Sequence, residues 1–386
     1  MGKSLKGKEL GKNICQRKDG TYMARFVNRF GKRQTIYAKT LNELRTRLRE
    51  EQYKDEKEIN VVTKEVTLDE WYKIWMDTCK QGCRDSTKNT YAIHYKRIQP
   101  DLGWRKLTSL NLIVMQDAIN RLRSDNARKN SKKILVDMLE KAIDTDLLTK
   151  NVAKQIITTV SKEEKRERRV LSIRETEIFI KQAEGAFYYN LFVLALETGM
   201  RIGELCALQW NNIGFKRKML HVSHTLCYFS KSGKYVFEMY DTKTNNGKRT
   251  IPLTERAIMA LRKQKIQKQE ILFKGKTAPE GYEHLVFVTR NNKPTQQFLV
   301  QECMGFIIKK IQKENPDFEA FTPHTFRHTF ATRALENGMQ IKTLSRVLGH
   351  GEIQLTMNLY CHVTEDTLVD ELRKMEQKCI LQANGV

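Results

Sequence analysis

A nine-residue stretch without any apolar side chain restricts the possible folds of this chain more than any other feature. Residues 161–169 read Ser-Lys-Glu-Glu-Lys-Arg-Glu-Arg-Arg, so they cannot enter a hydrophobic core. Such a charged segment is typical of a linker between two domains. The chain has 386 residues, and at roughly 100–200 residues per domain this length predicts two or three domains.

The net charge of the chain restricts the partners that it can be expected to bind. The 69 Lys and Arg outnumber the 45 Asp and Glu, which gives a formal net charge of +24. A charge this positive attracts polyanions, of which nucleic acid is the most common. No apolar stretch approaches the ~18 residues that span a bilayer, and the charged N-terminus lacks the apolar segment of a signal peptide. We therefore expect a nucleic-acid-binding protein that is neither secreted nor inserted in a membrane.

The N-terminal segment combines strand patterns with concentrated positive charge. Residues 1–49 contain 14 basic and three acidic residues. Alternating Tyr22, Ala24 and Phe26 predict a strand, residues 34–37 predict its partner, and Thr40 is a candidate helix N-cap. A basic β-ribbon fits the major groove of DNA, although a passive charged face is the alternative. The candidate DNA contacts are Arg17, Lys18, Arg25, Arg29, Lys32 and Arg33.

Residues 64–158 show helical periodicity. Apolar stripes at three- and four-residue spacing predict four or five helices with charged outer faces. We place Ile113 on one buried stripe, and we expect N-caps at Asp85-Ser86 and at Thr108-Ser109. This segment predicts a small all-α domain.

Four short motifs follow the linker, each ambiguous when taken alone. In the first, Gly199 should stop a buried helix and leave Arg201 at the start of the next. In the second, Asn246-Gly247 predicts a hairpin turn that returns the strand at residues 235–240 and carries Lys243 near its tip. Taken alone, each pattern is better explained by solvated surface residues.

The third motif is Thr322-Pro323-His324-Thr325-Phe326-Arg327. Thr322 and Pro323 are typical of a helix start. His324 and Arg327 would then share a face in the first turns. The fourth motif is Leu348-Gly349-His350, followed ten residues later by Tyr360.

In this order and at these distances the four motifs resemble those of the tyrosine recombinase (phage integrase) family. The resemblance covers roughly residues 165–365, and Asn151-Val152 stands where many relatives have Asn-Pro. The basic N-terminal sheet resembles the arm-binding domain of integrases from conjugative transposons and temperate phages. The implied fold is multidomain. It comprises a small basic three-stranded β-sheet plus helix, an all-α SAM-like core-binding domain, and a mixed, mainly α catalytic domain with a small antiparallel sheet.

The resemblance implies specific domain limits. We expect an arm-type DNA-binding domain at residues 1–60 and a helical core-binding domain at residues 64–158. A linker at residues 159–169 should join these to a catalytic domain at residues 170–386, with a tail helix at residues 364–386.

Tyrosyl transfer chemistry gives each candidate residue a role. Tyr360 would be the nucleophile, which needs a base or a positive field because a free phenol has a pKa of about 10. Arg201 and Arg327 would neutralise the phosphorane, since a guanidinium forks onto two oxygens. The remaining candidates are His324 as base and phosphate ligand, Lys243 as acid, His350 as phosphate ligand and Glu204 as the residue that orients Arg201 or a histidine.

No metal or cofactor is expected. The eight Cys lack zinc-ligand spacing, and no phosphate-binding glycine loop is present. The phosphotyrosine retains the energy needed for resealing.

The resemblance implies double-stranded DNA with core and arm sites as the substrate, a homotetramer on DNA, and an excisionase and a host DNA-bending protein as further partners. It also implies a bacterial cytoplasmic location at the nucleoid. Two alternatives stay open at this point. A type IB topoisomerase shares the tyrosyl chemistry, and a non-catalytic DNA-binding regulator could share the scaffold.

Overall fold

The computed structural model describes residues 2–5, 7, 9–27, 33–56, 66–158, 169–231, 233–242 and 247–349. The chain separates into two compact units, residues 1–162 and 163–386. Their boundary falls within the segment that the sequence predicts as a linker. Arg169, the one described residue of that segment, donates to the carboxylates of Glu175 and Glu319 at 2.7 Å each.

The first unit begins with two small sheets. β1 (Gly2–Lys3) pairs with β2 (Glu9–Gly11). β3 (Ile14–Gln16), β4 (Tyr22–Val27) and β5 (Arg33–Ala38) form an antiparallel sheet in the order β3-β4-β5. The predicted three-stranded sheet is therefore confirmed, whereas the β1–β2 pair was not predicted.

A helix packs on the three-stranded sheet. α1 (Leu41–Glu56) follows Thr40, whose Oγ1 accepts a hydrogen bond from the Glu43 backbone N–H at 3.3 Å. This bond satisfies one of the donors left open at a helix start, as the sequence predicts. The buried core of this part consists of Leu10, Ile14, Ala24, Ala38 and Leu44.

The remainder of the first unit is helical. It contains α2 (Leu68–Ile74), a π-helical turn (Trp75–Cys79), α3 (Asp85–Leu102), α4 (Leu112–Asn120) and α5 (Asp125–Asp144), with short 3-10 turns at Leu107–Ser109 and Val152–Gln155. Leu68, Trp71 and Trp75 pack against α3 and α5, and the Trp71 indole N–H donates to the Met138 carbonyl at 2.8 Å. The predicted all-α domain is confirmed.

Three local predictions in this domain are wrong. Arg84, in extended conformation, precedes α3, so Asp85 lies inside the helix as its acidic first-turn residue and does not cap it. Asn111 caps α4 by accepting from the Val114 N–H at 3.0 Å, while Thr108 and Ser109 belong to a 3-10 turn. Because α4 therefore starts later than expected, its buried stripe shifts, and Ile113 is 80 % exposed.

The second unit packs around α7 (Tyr189–Thr198), whose side chains are buried on all faces. The other helices among the described residues of this unit are α6 (Ile173–Gln182), α8 (Ile202–Cys206), α9 (Glu255–Phe273), α10 (Gln297–Glu314), α11 (Pro323–Glu336) and α12 (Ile341–Leu348). A three-stranded antiparallel sheet contains β6 (Ile213–Gly214), β7 (Met219–Val222) and β10 (Arg249–Pro252). The prediction of a mainly α domain with a small antiparallel sheet is confirmed.

The predicted hairpin around Asn246-Gly247 is wrong in its pairing. β8 (His224–Lys231) and β9 (Lys234–Asp241) pair with each other over their full length. β10 joins the other sheet, where Arg249 lies opposite Val222 on β7. β8 occupies one edge of β9, and the returning chain adds to the edge of β7 instead of to the second edge of β9. Residues 243–246 themselves lie outside the described part of the chain.

Candidate active site

A tight junction between α7 and α8 positions Arg201. Gly199 ends α7 with a left-handed φ of 60°, a conformation that favours glycine. A Cβ at Gly199 would lie 2.5 Å from the Phe330 ring on α11 and 3.0 Å from Leu348 on α12. The junction therefore lies directly against both helices, and Arg201 follows as the N-cap residue of α8.

The carboxylate of Glu204 is the buried centre of the site. Its oxygens accept the Arg201 backbone N–H at 2.9 Å and the Arg201 Nη1 at 2.9 Å. Glu204 therefore contacts Arg201 directly, as its predicted role of orienting Arg201 requires. The Glu204 side chain is 4 % exposed, whereas that of Arg201 is 39 % exposed and reaches solvent.

Arg249 supplies a second guanidinium to the same carboxylate. Its Nη1 and Nη2 donate to Glu204 Oε1 and Oε2 at 3.1 and 2.8 Å. Burial alone would raise the pKa of Glu204, but the hydrogen bonds and charge of Arg249, together with Arg201, outweigh it and lower that pKa below its ordinary value. Glu204 is thus an anion that accepts four hydrogen bonds.

Sequence reasoning missed Arg249. The residue follows the predicted Asn246-Gly247 turn, and no sequence motif gives it a role. The one signal in the sequence is a basic residue at the start of the strand Arg249-Thr250-Ile251-Pro252. Its contact with a residue 45 positions away becomes visible only in the folded chain.

Arg327 lies on α11 and is buried, at 5 % exposure. Its Nη1 donates to the Gly199 carbonyl at 2.9 Å, and its Nη2 donates to the Leu348 carbonyl at 2.7 Å. The guanidinium thereby joins the α7–α8 junction to the end of α12. Burial, and next the charge of Arg201, lower the pKa of Arg327 to about 9.

His324 lies one turn before Arg327 on α11, which begins after Thr322 with Pro323 in its first turn, as predicted. Desolvation, and then the charges of Arg327 and Arg201, lower the pKa of His324. The imidazole is therefore neutral at pH 7 and able to accept a proton.

After burial, the charge of Arg201 is thus a further cause that lowers the pKa of both His324 and Arg327. Two guanidiniums close together repel each other, and an anion that binds beside them relieves this repulsion. Arg327 bonds to the Gly199 carbonyl, two residues before Arg201, and His324 lies one turn from Arg327 on α11. This grouping is a candidate site for a phosphodiester, because a guanidinium can fork onto phosphate oxygens.

Three of the predicted catalytic residues lie outside the described part of the chain, namely Lys243, His350 and Tyr360. The residues that flank two of them are placed. Gly349 ends α12 with a φ of 65° and immediately precedes His350. The Thr242 backbone N–H donates to the Ser223 carbonyl at 3.1 Å, which fixes the chain before Lys243.

Two of the candidate DNA contacts, Arg25 and Arg33, share the solvent face of the N-terminal sheet. Arg25 lies opposite Thr35, and Val27 lies opposite Arg33, on the side away from buried Ala24. The Arg17 guanidinium lies 5.4 Å from the centre of the Tyr37 ring. Lys18 is exposed in the turn before β4, and Arg29 and Lys32 lie outside the described residues.

Among the described residues no group of three or more His, Cys, Asp or Glu is placed to hold a metal ion. None of their helices is long and apolar enough to cross a membrane.

The architecture and the site indicate the class of this protein, and its similarity to known sequences identifies the family. A site for a DNA phosphodiester on a mainly α unit, preceded by a helical unit, is the arrangement of a DNA strand transferase. Residues 146–367 match the model of the phage integrase family, and residues 67–123 match that of the phage integrase N-terminal SAM-like domain. The chain belongs to the phage integrase family. It is a tyrosine-type site-specific recombinase, an enzyme that cleaves and rejoins DNA through a 3′-phosphotyrosyl intermediate.

Relatives align along nearly the whole chain. The transposase from transposon Tn1545 of Streptococcus pneumoniae is 26% identical over 97% of this chain and 96% of its own length. The transposase from transposon Tn916 of Enterococcus faecalis is 25% identical over the same shares.

Solved structures share the fold. The Tn1549 transposon integrase in complex with transposon right end DNA has a TM-score of 0.66 at 25% identity, covering 81% of this chain and 100% of that one. A lambda integrase tetramer bound to a Holliday junction has a TM-score of 0.53 at 20% identity, covering 91% of this chain and 95% of that one. The second similarity concerns the fold alone.

Proposed function

We propose that this recombinase inserts and excises a mobile genetic element in bacterial DNA. The grouping of Arg201 and Arg327 with His324 near the α7–α8 junction carries the proposal, because two guanidinium charges complement the negative charge of a scissile phosphate. The end-to-end alignment with the transposases from transposons Tn1545 and Tn916 supports the mobile-element substrate.

In the proposed reaction the Tyr360 hydroxyl attacks phosphorus and its proton passes to His324. Arg201, Arg327 and His350 bind the non-bridging oxygens, whose negative charge increases in the pentavalent transition state. The bond to the 5′-oxygen breaks, and Lys243 donates the proton that this leaving group requires. The product is a 3′-phosphotyrosine and a free 5′-hydroxyl, so a second 5′-hydroxyl can reseal the strand without an external energy source.

The domain roles complete the proposal. Residues 64–158 and 170–386 would hold the core site, and residues 1–60 would bind arm sites. Four protomers would assemble on two DNA duplexes and exchange strands through a Holliday junction, in the bacterial cytoplasm at the nucleoid. The lambda integrase tetramer offers a precedent for such an assembly on this fold. An excisionase and a host DNA-bending protein would set its direction.

The tail at residues 364–386, which lies outside the described part of the chain, also has a proposed role. Leu368, Leu372, Met375 and Cys379 are spaced as one apolar stripe on a helix. An isolated helix of this length is marginal in water. We propose that it docks on the neighbouring protomer. Truncation after His362 should then leave DNA binding intact but reduce synapsis, and a truncated chain that assembles and recombines normally would contradict this docking.

A suicide DNA substrate tests the central proposal, because cleavage traps the covalent protein–DNA adduct. Tyr360→Phe should abolish the adduct and leave DNA affinity nearly unchanged, since it removes one oxygen and little surface. Tyr240→Phe is the matched control: this hydroxyl bonds to Glu238 on the same strand, β9. If the adduct survives Tyr360→Phe and disappears with Tyr240→Phe, the nucleophile is Tyr240 and the proposed role of Tyr360 is wrong.

Two more assays separate the alternatives. Strand exchange between paired sites is expected of a recombinase, whereas relaxation of supercoils without exchange would indicate a topoisomerase. DNA binding without any adduct would indicate a non-catalytic regulator.

Cleavage should also survive excess EDTA without ATP, because arginine and lysine supply the positive charge. Activity that EDTA abolishes and Mg²⁺ restores would contradict the mechanism.

A further inference from the structure

Arg249 is a buried arginine whose hydrogen bonds all go to the candidate active site or to the segments that lead into it. Its side chain is 5 % exposed. Burying a guanidinium is costly unless its donors are bonded. Four contacts meet that need: two to Glu204, one to Val347 and one to Gly247.

The first set of contacts controls the charge next to Arg201. Glu204 is shared between Arg201 and Arg249, and the fork from Arg249 engages both carboxylate oxygens. Without Arg249, the Arg201 guanidinium would be the one cation bonded to this carboxylate among the described residues. It would then be drawn towards Glu204 and away from an incoming phosphate.

The second contact controls the segment before His350. Arg249 Nε donates to the Val347 carbonyl at 2.5 Å, while Arg327 Nη2 donates to the adjacent Leu348 carbonyl at 2.7 Å. Two buried guanidiniums therefore hold consecutive carbonyls at the end of α12. Gly349 then turns the chain in a left-handed conformation, and His350 is the next residue.

The third contact controls the return from the segment that contains Lys243. Arg249 Nη1 donates to the Gly247 carbonyl at 3.2 Å. Arg249 is also the first residue of β10 and is anchored opposite Val222. The end of this segment is thus fixed to the same guanidinium that holds Glu204.

We propose that Arg249 is a positioning residue for DNA cleavage. It holds Glu204, and through it Arg201, in one arrangement with the chain segments that carry Lys243 and His350. Arg249 itself touches neither DNA nor the reacting atoms. The inference rests on the proposed function, since it assumes that Arg201 and His350 bind the scissile phosphate.

The test compares DNA affinity with the single-turnover rate of adduct formation on the suicide substrate, using the full chain. Arg249→Ala should slow adduct formation on the order of 100-fold, the usual cost of displacing reacting groups by about 1 Å. Its dissociation constant for the same DNA should stay within about threefold, because Arg249 is buried. Arg249→Lys keeps the charge but cannot fork onto Glu204, so it should recover part of the lost rate.

Arg333→Ala is the matched structural control. Arg333 lies on α11, bonds to Ser172 and Thr176 at 3.1 and 2.7 Å, and makes no contact with Glu204. It should lower the melting temperature without changing the cleavage rate by more than about threefold. If Arg249→Ala does not fold, Arg249→Lys carries the test, with an expected loss of about tenfold.

A double-mutant cycle separates positioning from general stability. If Arg249 acts through Glu204, adding Arg249→Ala to Glu204→Gln should cost much less than adding it to the parent. Rates of Arg249→Ala and Arg249→Lys within threefold of the parent, or fully additive losses, would overturn the inference. Absence of any adduct with the parent chain would instead overturn the proposed function.

Discussion

Replacing Arg327 should destabilise the second unit as well as stop cleavage. Its guanidinium bonds to the carbonyls of Gly199 and Leu348, which belong to segments 149 positions apart. Arg327→Ala leaves both buried carbonyls without this donor, at a cost of about 1–3 kcal/mol each. The sum is about 2–6 kcal/mol, a large share of the roughly 5–15 kcal/mol that stabilises a typical protein.

The lower half of that range is expected for Arg327→Ala. Burial first, and then the charge of Arg201, lower the pKa of Arg327, so the cation is desolvated and repelled in the folded state, and the substitution removes both costs. Arg327→Lys retains the charge but has one ammonium where two diverging donors are needed. It should therefore lose less stability than Arg327→Ala and still cleave poorly.

Urea denaturation of the full chain, followed by circular dichroism, measures the change in the free energy of unfolding. Arg256→Ala is the control, because this arginine is 52 % exposed and its contact with Glu197 spans 3.6 Å. Such an exposed pair is worth roughly 0–1 kcal/mol. If Arg327→Ala were as stable as Arg256→Ala, the two carbonyl bonds would contribute no net stability and the reasoning would fail.

Three further predictions concern other parts of the chain. Because the folded state lowers the pKa of His324 from 6.5, it binds fewer protons than the unfolded chain just below that pH. Stability should therefore fall with acidification, by at most about 1.4 kcal/mol per pH unit, and His324→Gln should reduce this slope in urea melts at several pH values. Arg25→Ala with Arg33→Ala should flatten the salt dependence of arm-DNA binding, each lost phosphate contact removing about 0.9 from the log–log slope; an unchanged slope would mean that both face solvent in the complex. Gly199→Ala should lower the melting temperature, because φ is 60° there and a Cβ would contact the Phe330 ring at 2.5 Å.

Sequence patterns were sufficient where the determinant is local. The alternation of Tyr22, Ala24 and Phe26 predicts β4, and Thr322 with Pro323 predicts the start of α11. Gly199 predicts the end of α7. Each of these features depends on side chains within a few positions along the chain, so the residues alone specify it.

Local patterns misled where several segments offered the same signal. Asp85, Thr108 and Ser109 all have capping side chains, yet Arg84 and Asn111 occupy the cap positions because packing sets where α3 and α4 begin. The predicted pairing of the strand after Asn246-Gly247 is wrong for a related reason. A strand can pair with any free strand edge that the fold brings close, so a turn motif alone does not specify its partner.

The sequence by itself determined the family, the charge and the identity of the candidate catalytic residues, because the chemistry of phosphate transfer requires particular side chains in a recognisable order. The tertiary structure alone decided how those side chains are held. Glu204 meets Arg249 across 45 positions, and Arg327 meets Leu348 across 21. These contacts arise only after helices and strands have packed, since a buried guanidinium bonds to whichever carboxylate and carbonyls the fold brings within reach.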